Sequence, residues 1–297
     1  MDEGINLIKI AILGGTRFFG KQLAEVLAKH GYIVDVFSHN INSSFKIDRS
    51  NKFDLEKIFK NKYDVIIDNI CFGSSDAIVV NEYFSKNKEL MPRQYIVTST
   101  SFVYRKLKRL DYNESITFAF ENLTLNKYPS IDYAIGKQES EYVFLNGVLA
   151  DKLLIIRPPY MIGVDDHTNR LKDMIELVKN RTSITLNKND IFYMSFVDIK
   201  LLSESIVALI EKSETGILNI ANSGCINNKE IYTIISNILN KKITFNIINS
   251  YNDLLHPYSL EKGLCLNIDK FKKTYDGKII DVKESFRVII KEIIEKN

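Results

Sequence analysis

The chain has 297 residues, 45% of them apolar, which is enough for one large α/β domain or two average ones and for a sizeable buried core. Its 40 Lys and Arg against 37 Asp and Glu leave a net charge of only +3, with the lysines scattered, so charge makes no case for a nucleic-acid partner. No run approaches the roughly 20 apolar residues that span a bilayer, no basic-then-apolar leader opens the chain, and Cys71, Cys225 and Cys265 make no C-x-x-C, which predicts a cytoplasmic protein in a reducing compartment, off the membrane and without a metal site.

The apolar run from Leu7 to Leu13 predicts a buried strand. Gly14-Gly15-Thr16-Arg17-Phe18-Phe19-Gly20 follows directly, before a helical pattern over about 20–30. A glycine-rich turn between strand and helix is a dinucleotide signal. Gly14 permits the tight turn, Gly20 lets the helix pack close, and the helix N-terminus offers free N–H groups to a pyrophosphate. Such junctions also carry glycines for packing alone. Further strands are predicted at 32–37, 64–70, 94–99, 152–157 and 217–220, and helices at about 53–61, 75–86, 133–148 and 198–212. The alternation predicts an α/β fold, a Rossmann-type doubly wound parallel sheet. Segments 164–190 and 223–297 break it, with Lys229 to Ile235 and Val282 to Glu295 patterned as amphipathic helices. The expected organisation is a dinucleotide-binding domain of 1–163 and 191–222 with a smaller, discontinuous substrate lobe of 164–190 and 223–297.

Two segments carry candidate chemistry. Tyr95-Ile96-Val97 ends in the hydroxyl cluster Thr98-Ser99-Thr100-Ser101, and Tyr133-Ala134-Ile135-Gly136-Lys137 opens a helix. Residues i and i+4 share a helix face, which sets the Lys137 ammonium beside the Tyr133 phenol. A nearby cation favours phenolate and so makes a tyrosine usable as an acid/base near neutral pH. A strand-end hydroxyl completes such a site by holding a carbonyl or alcohol oxygen.

In this order the motifs resemble the extended short-chain dehydrogenase/reductase superfamily, the NAD-dependent epimerase/dehydratase-like proteins, over nearly the whole chain. Gly14 to Gly20 is similar to the GGTRF-x-G subgroup. Ser99-Thr100-Ser101-Phe102-Val103-Tyr104 is similar to the hydroxyl segment ending in Val-Tyr, and counting back from Tyr104 puts Thr100 at its Ser/Thr position. Ile156-Arg157-Pro158-Pro159-Tyr160-Met161-Ile162-Gly163 is similar to the R-P-x-x-x-x-G strand and loop, and Phe196-Val197-Asp198 to the later Val-Asp motif. The resemblance implies hydride transfer coupled to proton transfer by Tyr133, with Lys137 supporting the tyrosine and holding a ribose hydroxyl, and Thr100 bonding the reacting oxygen. It also implies that a cofactor meets Gly14, Gly15, Thr16, Arg17, Phe18, Phe19 and Gly20, then Ser38, His39 and Asp48. Ile70, Cys71, Thr98, Ser99, Tyr133, Lys137, Pro159 and Tyr160 complete that set. Asp48 matches the adenine-contacting aspartate of the family, although a turn aspartate looks the same, and Cys71 reads as a packed small residue rather than a reactive thiol.

NAD enzymes place a carboxylate at the end of the second strand. Ser38 holds that position here, and Arg17 replaces the middle glycine of G-x-x-G-x-x-G, a combination that favours NADP(H) over NAD(H). The expected substrate is a small molecule, a sugar or sugar-nucleotide-like compound reacting at a hydroxyl or ketone carbon. Ser101-Phe102 stands where the family's 4,6-dehydratases carry Asp-Glu, which weighs against dehydration. Phe192 stands where many nucleotide-sugar enzymes carry a diphosphate-clamping arginine, so Arg170, Arg181 or a lysine would have to substitute. Thr100, Ser101, His167, Arg170 and Phe192 are the substrate candidates; loop polarity accounts equally well for His167 and Arg170, and for His256 farther on. Two alternatives stand beside this: an NADPH-dependent reductase of a non-nucleotide metabolite, and a non-catalytic dinucleotide- or RNA-binding protein on the same fold. The near-neutral charge and the lack of a basic-aromatic cluster argue against RNA. The resemblance makes the Tyr133 helix a candidate for pairing in a homodimer, and the sequence leaves the oligomeric state open.

Overall fold

The computed structural model describes residues 7–39, 45–49, 51–107, 111–125, 131–248, 256–258 and 262–296. Its strands are β1 (Lys9–Leu13), β2 (Ile33–Ser38), β3 (Phe45–Lys46), β4 (Val65–Asp68), β5 (Gln94–Thr98), β6 (Leu153–Arg157), β7 (Tyr160–Ile162), β8 (Ser183–Asn187), β9 (Phe196–Asp198), β10 (Gly216–Asn219) and β11 (Thr244–Ile248). Its α-helices are α1 (Phe18–Lys29), α2 (Lys52–Phe59), α3 (Ser74–Lys86), α4 (Tyr133–Leu145), α5 (Arg170–Asn180), α6 (Ile199–Glu211), α7 (Asn228–Ile238), α8 (Asp269–Thr274) and α9 (Val282–Lys296).

Seven of these strands form one sheet in the order β10-β6-β5-β4-β1-β2-β3, every pairing parallel. Parallel strands joined by helical crossovers are covered on both faces, so their residues are apolar in sequence rather than alternating. β4, β5 and β6 are buried at every position. On one face Leu23, Val26 and Leu27 of α1 pack with Leu202, Ile206, Leu209 and Ile210 of α6. On the other, Leu55, Ile58 and Phe59 of α2 and Ala77, Val80 and Phe84 of α3 form a second core. Strand order reverses beside β1, whose neighbours are β2 and β4. That reversal opens a crevice at the carboxyl ends of the strands, where ligands of such sheets bind.

A third core gathers α5, α7 and α9 with Ile162, Ile184, Leu186 and Phe196. β7 pairs with β9 and β8 with β11, both in parallel and apart from the main sheet. The segment 165–170, polar in sequence, ends by starting a helix: Asn169 is its N-cap at φ +56° and Arg170 its first residue. The cysteines need a correction. Cys225 and Cys265 are joined as a disulfide with Cα atoms 6.0 Å apart, while Cys71 is free and buried. Backbone bridges from Met194 to both Ile226 and Leu264 bring the two segments together, which a separation of 40 residues hides from any spacing rule. Among the described residues no group of three or more His, Cys, Asp or Glu could hold a metal ion, and no helix is long and apolar enough to cross a membrane.

Candidate active site

The glycine turn leaves β1 with Gly14 at φ +83° and its N–H bonded to Phe37 O at 2.7 Å. A Cβ on Gly20 would lie 2.3 Å from Gly14 O, so only glycine lets α1 come this close to the turn. No side chain caps the α1 N-terminus at Arg17, and its first turn has no acidic residue. A close backbone cradle with an uncapped helix N-terminus suits a phosphate, so the residues present fit a dinucleotide. Gly20→Ala is expected to disrupt the turn by about 1–3 kcal/mol and weaken dinucleotide binding roughly ten-fold, which a fluorescence titration reads directly.

The rest of the cofactor set lies around this turn. Thr16 and Ser38 pair through their hydroxyls at 2.9 Å, leaving no carboxylate at the end of β2. Exposed His39 lies 3.4 Å from Asp48, and Arg17 is exposed at the turn. Ile70 is half-buried beside Gly14, whose Cβ would meet its Cγ2 at 2.5 Å. Cys71 points into the core, where burial pushes its thiol up to about 12.

Asp132 caps α4 by accepting from Ala134 N and Ile135 N, which sets the backbone at Tyr133, the first helical residue. One turn on, Lys137 is 1% exposed; its Nζ donates to Cys71 O at 2.6 Å and Thr98 O at 2.7 Å. An ammonium has three N–H donors, so one is left for another oxygen. Nζ sits 5.8 Å from the Tyr133 ring centre and 4.8 Å from that of Phe72. Thr100 ends the strand segment and accepts from Phe102 N at 3.2 Å, leaving its own O–H to donate.

These groups converge on a cleft of about 460 Å³. Its lining includes Thr98, Ser99, Thr100, Tyr133 and Lys137, together with Phe18, Phe19, Pro159, Tyr160, His167 and Arg170. The Arg170 guanidinium lies 5.6 Å from the Tyr160 ring centre. Burial pushes the Tyr160 phenol up, with Arg170 opposing. Two substrate candidates lie off this lining: Ser101 is 1% exposed with its N–H bonded to Pro158 O, and Phe192 is half-buried.

Three further features had no motif to announce them. Asn69 lines the cleft, accepts from Thr98 Oγ1 at 2.6 Å and donates to Gly14 O at 3.4 Å, tying the glycine turn to β5. The buried pair Arg49–Asp68, at 2.8 Å, anchors the end of β4 together with the Tyr95 hydroxyl. Behind the cleft, Arg157 of β6 forms a bidentate pair with Glu141 of α4, both almost fully buried. Ser99 Oγ donates to the same carboxylate, and the Tyr104 hydroxyl accepts from Arg157 at 2.7 Å. Glu141 lies one turn beyond Lys137 on the same helix face, a carboxylate at a buried position, and that was the available signal.

Residues 10–221 match the model of the NAD dependent epimerase/dehydratase family. The chain belongs to that family. It is thereby an enzyme of a family that binds NAD(P), and no curated protein matches it by sequence. Solved structures share its fold. The dTDP-4-dehydrorhamnose reductase of Yersinia enterocolitica is 22% identical with a TM-score of 0.74, covering 96% of this chain and 99% of its own. The Bacillus anthracis dTDP-4-dehydrorhamnose reductase in complex with NADP is 18% identical, TM-score 0.73, covering 96% and 99%. The dTDP-glucose 4,6-dehydratase of the same species, in complex with NAD, is 16% identical, TM-score 0.74, covering 98% and 97%.

Proposed function

We propose that the protein is an NADP(H)-preferring member of the family that moves hydride to or from a hydroxyl or ketone carbon of a sugar or sugar-nucleotide-like substrate, with Tyr133 as acid/base. The observation that carries this is the convergence of Tyr133, Lys137 and Thr100 on one cleft, whose lining also includes Phe18 and Phe19 of the glycine turn. When bound, the nicotinamide supplies or accepts the hydride. Tyr133 passes a proton to or from the substrate oxygen, and the Thr100 O–H donates to the same oxygen. Lys137 is held by two backbone carbonyls; its remaining N–H would hold a ribose hydroxyl of a bound dinucleotide, and its charge, 5.8 Å from the Tyr133 ring centre, favours the phenolate. The segment leading into the third core adds Tyr160, His167 and Arg170 to the lining.

The cofactor preference is supported by the Thr16–Ser38 hydroxyl pair at the end of β2, where a carboxylate would repel a 2′-phosphate. Among the solved structures named above, one is a reductase in complex with NADP and one a dehydratase in complex with NAD, both named for dTDP-sugars. Substrate class is tested by incubating the protein with NADPH or NADP⁺ and a panel of sugar nucleotides, sugars and keto-acids while following nicotinamide absorbance and product mass. A reductase consumes NADPH stoichiometrically. An epimerase changes its substrate with no net cofactor turnover, and no change with any sugar-type compound contradicts the substrate class.

A further inference from the structure

Phe18 opens α1 at φ +42°, in the left-handed region that disfavours side chains and above all bulky ones. Such a residue persists only where its surroundings over-determine it, and those places cluster at functional sites. Here the constraint is the ring. It lines the cleft and meets the His167 ring edge-on, with centres 6.2 Å apart. Opposite it is Gly163, where a Cβ would stand 3.2 Å from Phe18 Cε2 and 2.7 Å from Ile199 Cδ1. A side chain at 163 would press on Ile199 first and on the ring as well, so Gly163 leaves the segment in close approach to both. One side chain from the glycine turn thus packs against both ends of segment 163–167, which leads into Arg170.

We infer that Phe18 is a positioning residue that couples the glycine turn to segment 163–170, so that a dinucleotide filling the turn seats His167 and Arg170 in the cleft. This rests on the dinucleotide reading above. The backbone of Phe18 is part of the turn that a phosphate would meet, and its ring is the wall that the segment rests on. A shift at the turn is therefore transmitted through one rigid group. The coupling is reciprocal: a substrate ordering 163–170 tightens dinucleotide binding by the same factor.

The test is hydrogen exchange of the whole protein with and without saturating NADP⁺, and NAD⁺ in parallel, on wild type, Phe18→Ala, Phe18→Gly and Phe18→Tyr, with dinucleotide Kd and Tm measured on each. In wild type the dinucleotide slows exchange across 163–170. Phe18→Ala and Phe18→Gly both lose that protection and bind about five- to ten-fold more weakly, while Phe18→Tyr keeps both. Glycine relieves the left-handed strain, so Phe18→Gly melts roughly 2–4 °C above Phe18→Ala. A purely structural role would make protection follow Tm, with Phe18→Gly protected better than Phe18→Ala. That pattern, or unchanged Kd and protection in both variants, overturns the inference. Wild type that binds neither dinucleotide overturns the reading beneath it as well, and is told apart by failing before any substitution is made.

Discussion

Tyr133→Phe is expected to lower turnover roughly 10²–10⁴-fold, the range contributed by a positioned general acid/base. Dinucleotide affinity and Tm should stay close to wild type. The substitution removes one oxygen from a ring that otherwise packs against Phe72 and Phe102, with centres 6.4 and 6.5 Å away, and phenylalanine keeps that packing. The helix start is unaffected, because Asp132 supplies the cap from its own side chain. Lys137→Ala would be a poorer probe. It strips a buried cation from the Cys71 and Thr98 carbonyls and leaves both without their donor, so lost activity would mix with lost structure. Steady-state kinetics on Tyr133→Phe, with Kd and Tm measured on the same preparation, separate chemistry from folding. Wild-type turnover in this variant removes Tyr133 from the mechanism.

Glu141→Gln is expected to destabilise the fold by about 3–5 kcal/mol, because it leaves Arg157 charged and buried without its counter-ion. That is a large share of the roughly 5–15 kcal/mol that holds a typical domain together. Arg157 is 0% exposed and Glu141 1%, so water cannot replace the lost carboxylate. Glutamine keeps a single acceptor oxygen, for which Ser99 and Arg157, both donors to the carboxylate, must compete. Replacing both members, as in Glu141→Leu with Arg157→Leu, is expected to recover much of the loss, since two apolar groups carry no desolvation cost. Urea unfolding of the single and double variants, compared at constant m, measures both. The pair also bears on the site: α4 grips β5 and β6 through Lys137 and Glu141, and Tyr133 rides on the same helix.

The sheet was legible because strands buried on both faces must be apolar throughout. The runs at 7–13, 64–70, 94–99 and 152–157 signal β1, β4, β5 and β6 with errors only at their ends. α1 starts at Phe18 rather than near Gly20, a two-residue difference of the size that helix ends ordinarily show. β7, β8, β9 and β11 were illegible: they lie outside the main sheet and pair only with each other, far along the chain, as β8 does with β11. At the site, the Tyr133–Lys137 pair could be read because an i, i+4 relation is local. The Glu141–Arg157 and Arg49–Asp68 pairs could not. Each depends on which strand lies beside which element, and a buried charge looks like a surface one until its partner is found. The Cys225–Cys265 disulfide escaped for the same reason.

Cofactor identity tests most directly whether the glycine turn and the Tyr133 cleft form one dinucleotide-dependent site. The purified protein would be denatured, any released dinucleotide identified by mass spectrometry, and the apo protein titrated with NAD⁺, NADH, NADP⁺ and NADPH. Binding with a preference for the NADP(H) pair is the predicted result. Tight retention of NAD(H) would contradict the reading of Ser38 and Arg17, and failure to bind any of the four would contradict the site itself.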